Sequence, residues 1–414
     1  MKKFLSLVVV LAMLVASLTA CGGKDDETKA ETKATETKAA GETEAAGETK
    51  AETDGETSAS VDGAETFLIG GIGPLTGAAA SYGTSVKQGA EIAIKEINGA
   101  GGVKVGDKTY QFKLEFADDE ASEDKAPQAY NSLMDKGINA VLGCVTSGAC
   151  MAIVDQTAAD GILQITPSGS AEGCIANDNA FRICFSDPEQ GLAMADYAVN
   201  KLGLKKIAVI YNAADEYSTG IQVAFEKAVA DLGGEIVASE AFNTNDVDFN
   251  TQLTKIKSTD AEAIYVPAYY QDATYITKQA KDMGIDVQFL GSDGWDGVLG
   301  TVTDASTVEG CIFTSPFCAS VDEPKVVSFV EAYEAAYGST PDQFAADGYD
   351  AVYTMKAAME KAGSIESADM IAAMTEITVD GLTGEGMTFE ATGAPVKAVK
   401  FVEVKDGAYK YTDD

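Results

Sequence analysis

The chain is expected to fold as an α/β protein: two Rossmann-like lobes, each a parallel sheet covered by helices. Three observations carry that expectation. Runs of β-type residues alternate with amphipathic helical runs across short connections, the pattern of right-handed βαβ crossovers. The alternation pauses after Phe185 and begins again at Lys206, so there are two such blocks. And 414 residues, 46% hydrophobic and 23% charged, are too many for one ordinary domain yet apolar enough for two cores.

In the first block, Thr66–Gly73 (TFLIGGIG) is a strand, and Gly83–Asn98 is a helix because Val86, Ala90, Ala93, Ile94 and Ile97 recur at helical spacing. Tyr110–Ala117 alternates as a strand, Lys125–Lys136 follows as a helix, Asn139–Gly143 as a short apolar strand and Ser147–Asp160 as a helix. Strands Ile162–Thr166 and Ala180–Phe185 complete the block. In the second block, strands Lys206–Tyr211, Glu235–Glu240, Ala263–Pro267 and Gln288–Gly291 interleave with helices Thr219–Leu232, Phe249–Ser258 and Thr274–Met283. Beyond Val308 come two strong helices, Pro324–Tyr337 and Asp342–Lys361, and a β-rich tail, Gly386–Tyr411. That order fits a chain that crosses back to the first lobe and finishes in the second. Ligands of open parallel sheets sit beyond the carboxyl ends of the strands. The segments to search are therefore Gly73–Gly77 with Tyr82, Cys144–Gly148, Pro167–Ser170, Asn212–Tyr217, Tyr269–Tyr270 and Ser292–Trp295.

Charge and composition remove several function classes. Lys and Arg number 30 against 65 Asp and Glu, a net charge of −35, which repels phosphate backbones and anionic headgroups and argues against nucleic-acid binding. The chain has no His, which excludes Ser-His-Asp and Cys-His nucleophile systems and the commonest transition-metal ligand. No metal and no cofactor is expected. Six cysteines follow Cys21: Cys144, Cys150, Cys174, Cys184, Cys311 and Cys318. Without a C-x-x-C pair, a zinc or thioredoxin-like reading has little support. Disulfides within the sequence-close pairs Cys144/Cys150 and Cys311/Cys318, or buried free thiols, both remain open.

The first sixty-five residues are unlike the rest. Lys2 and Lys3, the apolar run Phe4–Val15 and the small residues after it read as a secretory signal over residues 1–20. Leu18-Thr19-Ala20-Cys21 followed by Gly22 resembles the bacterial lipoprotein box. The resemblance implies that Cys21 is lipidated and holds the protein on the outer face of the cell membrane, against the plainer reading of a signal with an incidental Cys. Residues 21–65 are expected to form the lipidated Cys and a disordered acidic tether: 22–65 hold 5 Lys against 13 Asp and Glu, and no aromatic residue.

From residue 66 onward the chain resembles the branched-chain amino acid binding proteins of ABC importers, which have the type I periplasmic binding fold. The opening IGGIGPLTGAAASYGTSVKQGAEIAIKEINGAGGV carries the resemblance, followed in the family's order by ADDEASEDKA, VLGCVTSGACMAI, GILQITPSGSA, FRICFSDPEQG, IAVIYNAADEYSTGI and FLGSDGW. It implies two lobes, 66–186 with 315–392 and 187–314 with 393–414. Three crossover strands would join them near Phe185–Asp187, Thr314–Ser315 and Ala391–Pro395. It further implies that a monomeric, extracytoplasmic binding lipoprotein, not an enzyme, clamps an amino acid (branched-chain or aliphatic) between the lobes and passes it to an ABC permease. Ser147 and Ser170 correspond to hydroxyl residues that bind the ligand carboxylate, and Val145 and Ser168 to residues contributing backbone groups. Tyr217 and Tyr269 correspond to tyrosines that close over the ligand, Asp293 to the acid that binds its ammonium (Glu in the best-known members), and Tyr82 and Phe344 to walls around its side chain. Trp295, the only Trp, stands where the family usually has a smaller residue, which bears on the ligand's side chain.

The residues support the same chemistry on their own terms. A zwitterion needs an anion for its ammonium and donors for its carboxylate, and hydroxyls with helix N-terminal N–H groups supply the latter without any Arg. Each residue also has a bland role: Ser147 and Ser170 as helix caps, Tyr217 and Tyr269 as core or rim aromatics, Asp293 as the cap of a Ser-Asp-Gly turn. Two further classes stay open. An enzyme would have to use Asp118 and Asp119, which as neighbours on a strand point to opposite faces, or GGIGPLTG, which lacks the Walker Lys-Ser/Thr. A sensory ligand-binding protein, or a binder of aromatic amino acids, urea or short amides, would use the same fold.

Overall fold

The computed structural model describes residues 63–412. Residues 1–20, Cys21 and nearly all of the 21–65 tether lie outside the described residues. Two sheets organise the folded region. The first contains β1 (Glu65–Gly73), β2 (Val103–Val105), β3 (Lys108–Asp118), β4 (Ala140–Gly143), β5 (Leu163–Thr166) and β6 (Ala180–Arg182). Their spatial order is β2-β3-β1-β4-β5-β6, parallel except for the β2 edge. Strands β4 and β5 are buried at every residue, as parallel strands covered on both faces must be. Helices α1 (Ala80–Gly99), α2 (Ala126–Met134) and α3 (Ser147–Asp160) make the crossovers.

The chain then enters the second lobe through α4 (Asp187–Asp196). The start of α4 is fixed by a capping box: the Ser186 hydroxyl accepts from the Glu189 N–H, and the Glu189 carboxylate accepts from the Ser186 N–H. The second sheet holds β7 (Lys206–Asn212), β8 (Glu235–Phe242), β9 (Ala263–Val266), β10 (Gln288–Gly291) and β11 (Ile312–Thr314), all parallel. Helices α5 (Glu216–Asp231), α6 (Asn250–Lys257) and α7 (Tyr270–Asp282) connect its strands. After β11 the chain returns to the first lobe as α8 (Pro324–Tyr337), α9 (Gln343–Ala362) and α10 (Ser367–Ala373). Helix α9 lies so close along α1 that a Cβ on Gly89 would stand 1.8 Å from the Ala345 carbonyl oxygen. A short hairpin comes next, β12 (Thr388–Phe389) with β13 (Pro395–Val396), and β14 (Phe401–Lys405) and β15 (Ala408–Tyr411) then close the edge of the second sheet antiparallel.

The chain runs from β6 into α4 through Phe185–Asp187 and leaves β11 through Thr314–Ser315. The third passage lies later than Ala391–Pro395. Gly393 is still bonded to the first lobe, its carbonyl accepting from the Arg182 N–H, and Pro395 is inside the hairpin. The chain passes over between Lys397, whose ammonium donates to the Ile183 carbonyl, and Lys400, whose carbonyl accepts from the Ser315 N–H. Hairpin formation delays the crossing because Phe389 packs its ring edge on Phe181 of β6. The six cysteines within the described residues are buried free thiols, with neither sequence-close pair joined. Among the described residues no helix is long and apolar enough to cross a membrane.

Candidate ligand site between the lobes

The carboxyl ends of both sheets face each other, and the loops after β1, β4, β5, β7, β9 and β10 converge. The lobes meet there. The Tyr82 hydroxyl of α1 bonds the Gly294 carbonyl and accepts from the Tyr270 N–H, while the Tyr270 hydroxyl donates to the Ala78 carbonyl at 2.8 Å. From α9, Gln343 donates its N–H to the Asp296 carboxylate at 2.8 Å and its side-chain amide to the Asp293 carbonyl at 2.7 Å. The cavity left between these ties is small: only about 10 Å³ admits the centre of a water molecule. As it stands the cavity has no room for a solute larger than water.

Eight of the ten expected residues line this cavity: Tyr82, Val145, Ser147, Ser168, Tyr217, Tyr269, Asp293 and Phe344. The first-lobe wall is built on the N-terminus of α3. Ser147, in its first turn, accepts from the N–H groups of Ser170 and Ala171 at 3.2 Å each, so its own proton is left to donate elsewhere. Thr146, the N-cap, makes no side-chain cap bond, and its hydroxyl is buried at the cavity wall without a partner. An uncapped helix start with two donor hydroxyls is a place for an anion. The Ser168 hydroxyl is committed to the Val145 carbonyl at 2.7 Å, which leaves only the backbone of that loop for a ligand.

The second-lobe wall is anionic. Asp293 is 4% exposed and accepts from the Tyr217 hydroxyl at 2.6 Å. Burial pushes its carboxyl up to about 6, partly offset by the bonds from Tyr217 and Gln190. The side-chain carbonyl of Gln190 on α4 receives the Asp293 N–H at 3.0 Å and the Thr314 hydroxyl at 2.8 Å, holding the Asp293 turn to both its helix and its strand. Between the two polar walls lie aromatic rings. Tyr217 stacks on Tyr269 with centroids 5.0 Å apart, and Tyr82 packs on Phe344 at 4.1 Å.

Two expected residues stand elsewhere. Ser170 lies one layer back, where its N–H supports Ser147 and its carbonyl receives the Arg182 guanidinium and the Asp187 N–H. Trp295 is buried beneath the cavity floor, its indole N–H on the Val266 carbonyl at 2.8 Å and its ring against Gly291, where a Cβ would stand 2.4 Å from it. Trp295 therefore does not touch the space a ligand would fill. The segment GGIGPLTG is not a phosphate cradle, because Asp118 occupies that loop, accepting from the Leu75 N–H and the Thr76 hydroxyl. Sequence reasoning missed Thr146, Gln190 and Gln343. Only Gln190 left a signal, the Ser-x-x-Glu capping box that starts its helix.

This architecture has relatives. A model of the periplasmic binding protein family matches residues 66–408. A Leu/Ile/Val-binding protein homolog of Brucella melitensis is 33% identical, over 74% of this chain and 82% of that one. Among solved structures, the branched-chain amino acid transporter substrate-binding protein LivJ of Streptococcus pneumoniae, in complex with isoleucine, is 32% identical with a TM-score of 0.77, covering 84% of this chain and all of that one. A leucine-binding protein LivK of Thermotoga maritima is 28% identical with the same TM-score, over 84% and 97%. The chain belongs to the periplasmic binding protein family, among the substrate-binding proteins of branched-chain amino acid ABC transporters.

Proposed function

We propose that this protein captures an aliphatic, branched-chain α-amino acid outside the cell and delivers it to an ABC importer, held at the membrane through a lipid on Cys21. The observation that carries the reading is the pairing of opposite walls across one small cavity. Asp293 offers a desolvated anion for an ammonium, and the α3 N-terminus with Thr146 and Ser147 offers donors for a carboxylate. Val145 and Phe344 with the rings of the tyrosines give the space between those walls an apolar lining, which supports an aliphatic side chain. The Streptococcus relative was solved with isoleucine, and the Brucella relative is named for leucine, isoleucine and valine, which supports the same ligand class. A thermal-shift screen against amino acids and short amides tests it: a true ligand at 100 times its Kd adds about 2.7 kcal/mol. Leucine, isoleucine or valine are expected to give the largest shifts, and shifts from amides alone would overturn the reading.

The anchor is tested separately. Two acyl chains, at about 0.8 kcal/mol per buried CH₂, make dissociation negligible. Cys21→Ser is expected to release the protein from membranes with ligand affinity unchanged, and a variant that stays membrane-bound would remove the anchor from the proposal.

A further inference from the structure

The carboxylate wall is backed by sulfur. Cys150, in the second turn of α3, and Cys174, in the short 3₁₀ turn Glu172–Ile175, are both fully buried. The Cys174 thiol lies 3.7 Å from the Ser147 carbonyl and the Cys150 thiol 3.9 Å from the Cys174 carbonyl. Their side chains converge behind Gly169, where an added Cβ would stand 3.1 Å from the Cys174 sulfur and 3.3 Å from the Cys150 Cβ. The Cys150 thiol reaches the backbone of Cys174 itself, and the Cys174 thiol reaches the first residue of the helix that carries Cys150. Burial and the nearby Asp119 charge raise Cys144, the third thiol of this cluster, well above its usual range. None of the three lines the ligand cavity.

We infer that Cys150 and Cys174 are a disulfide-forming pair, closed by exchange with a small-molecule disulfide, and that the bond braces the two loops presenting Ser147 and Ser168. The pairing is not the sequence-close one: 24 residues separate the partners.

The chemistry balances. The Cys150 thiolate attacks one sulfur of the small disulfide, forming a mixed disulfide and expelling one small thiolate. The Cys174 thiolate then attacks the Cys150 sulfur and expels the second. Two cysteines lose two electrons in total, the small disulfide gains them, and the two cysteine protons end on the released thiols. The order of attack is set by the surroundings. The neighbouring Cys174 thiol holds the Cys150 thiol below its usual range, and the Cys150 sulfur accepts from the Gln164 side-chain amide at 3.3 Å, whereas burial holds Cys174 well above its own range. Access comes when the 167–175 loop lifts from α3, either during folding or by local opening.

The bond would tie the first turns of α3 to the loop that supplies N–H groups to Ser147, without entering the ligand space. Its expected effects are therefore on rigidity and stability rather than on ligand contacts. The test uses the full chain, reduced, then incubated with oxidised glutathione both natively and during refolding, and alkylated after denaturation. Wild type is expected to show two fewer alkylatable thiols than its reduced control, and so is Cys144→Ser. Cys150→Ser and Cys174→Ser are expected to show no such intramolecular loss. Oxidised wild type should melt roughly 5 °C above its reduced form, a gain erased by dithiothreitol, and its L-leucine affinity should stay within about threefold, since no ligand-facing group changes. A wild type that keeps all its thiols under both treatments would overturn the pairing. So would a Cys150→Ser or Cys174→Ser variant that still loses two, or a Cys144→Ser variant that loses none.

Discussion

The two walls of the cleft solve opposite electrostatic problems by different means. In the proposed reading the first-lobe wall would meet a carboxylate without a positive charge, through a helix start, two hydroxyls and loop backbone, all neutral. The second-lobe wall would meet an ammonium with the buried carboxylate of Asp293. The difference teaches where pH and mutation act. Dipoles fixed in a helix do not titrate, whereas Asp293, pushed up to about 6 by burial, does so close to physiological pH.

The largest expected effect breaks the anionic wall. Asp293→Asn leaves a ligand ammonium buried and unpaired, and should cost about 2–5 kcal/mol of L-leucine binding by calorimetry, with little change in melting temperature. An unchanged affinity would remove Asp293 from the ammonium role. On the neutral wall, Thr146→Val deletes a hydroxyl that has no protein partner, so nothing inside the fold is orphaned. A donor to a carboxylate is worth about 1.5–3 kcal/mol, and that is the predicted loss. If Thr146→Val binds as tightly as wild type, the backbone alone holds the carboxylate.

Acid separates the walls further. As pH falls through 6 the Asp293 carboxyl is increasingly protonated before ligand arrives, so L-leucine affinity should fall roughly fivefold between pH 6 and pH 5. The ligand-free protein should move the other way. Asp119, Asp215 and Asp293 are raised to about 6 and Asp272 to about 7, each chiefly by burial. A folded-state value above the unfolded one means the folded protein binds more protons, so the stability these groups contribute is present near pH 4 and lost as pH rises through 6 to 7. Differential scanning calorimetry should therefore show a higher Tm at pH 5 than at pH 7.5, while the added stabilisation by ligand shrinks. The smallest expected effect on binding is that of Trp295→Phe, which keeps an aromatic floor but drops the bond to Val266. It should cost about 1–3 kcal/mol of stability and leave affinity within about twofold.

Much of this was legible from residue order alone. Ser147–Asp160, Gln288–Gly291 and Pro324–Tyr337 form elements at the expected residues because hydrophobic period and turn chemistry agree there. β2 and α10 escaped notice because three and seven residues are too few to show a period. Helix α4 was hidden by the polar run Asp187–Gln190. Residues after strand ends were found because topology alone brings them to one edge. Gln190 and Gln343 were not, since they reach Asp293 across 103 and 50 residues through side chains carried in by other elements. Trp295 was misplaced for the complementary reason. It neighbours Asp293 in number, but across the 3₁₀ turn Asp293–Trp295 the acid reaches Tyr217 at the cavity while the indole reaches the Val266 carbonyl of β9.

That misplaced indole gives the molecule an optical property of its own. Trp295 is the single tryptophan in 414 residues, and it sits fully enclosed two positions from the acid at the cavity edge. Emission excited at the red edge of the protein band comes from one chromophore in one environment, so its wavelength should be short and its decay nearly uniform. A cation arriving beside Asp293 changes the local field on that ring without displacing it. Titration should then read as a change in intensity or lifetime at constant spectral shape, making the native protein a label-free reporter of its own ligand.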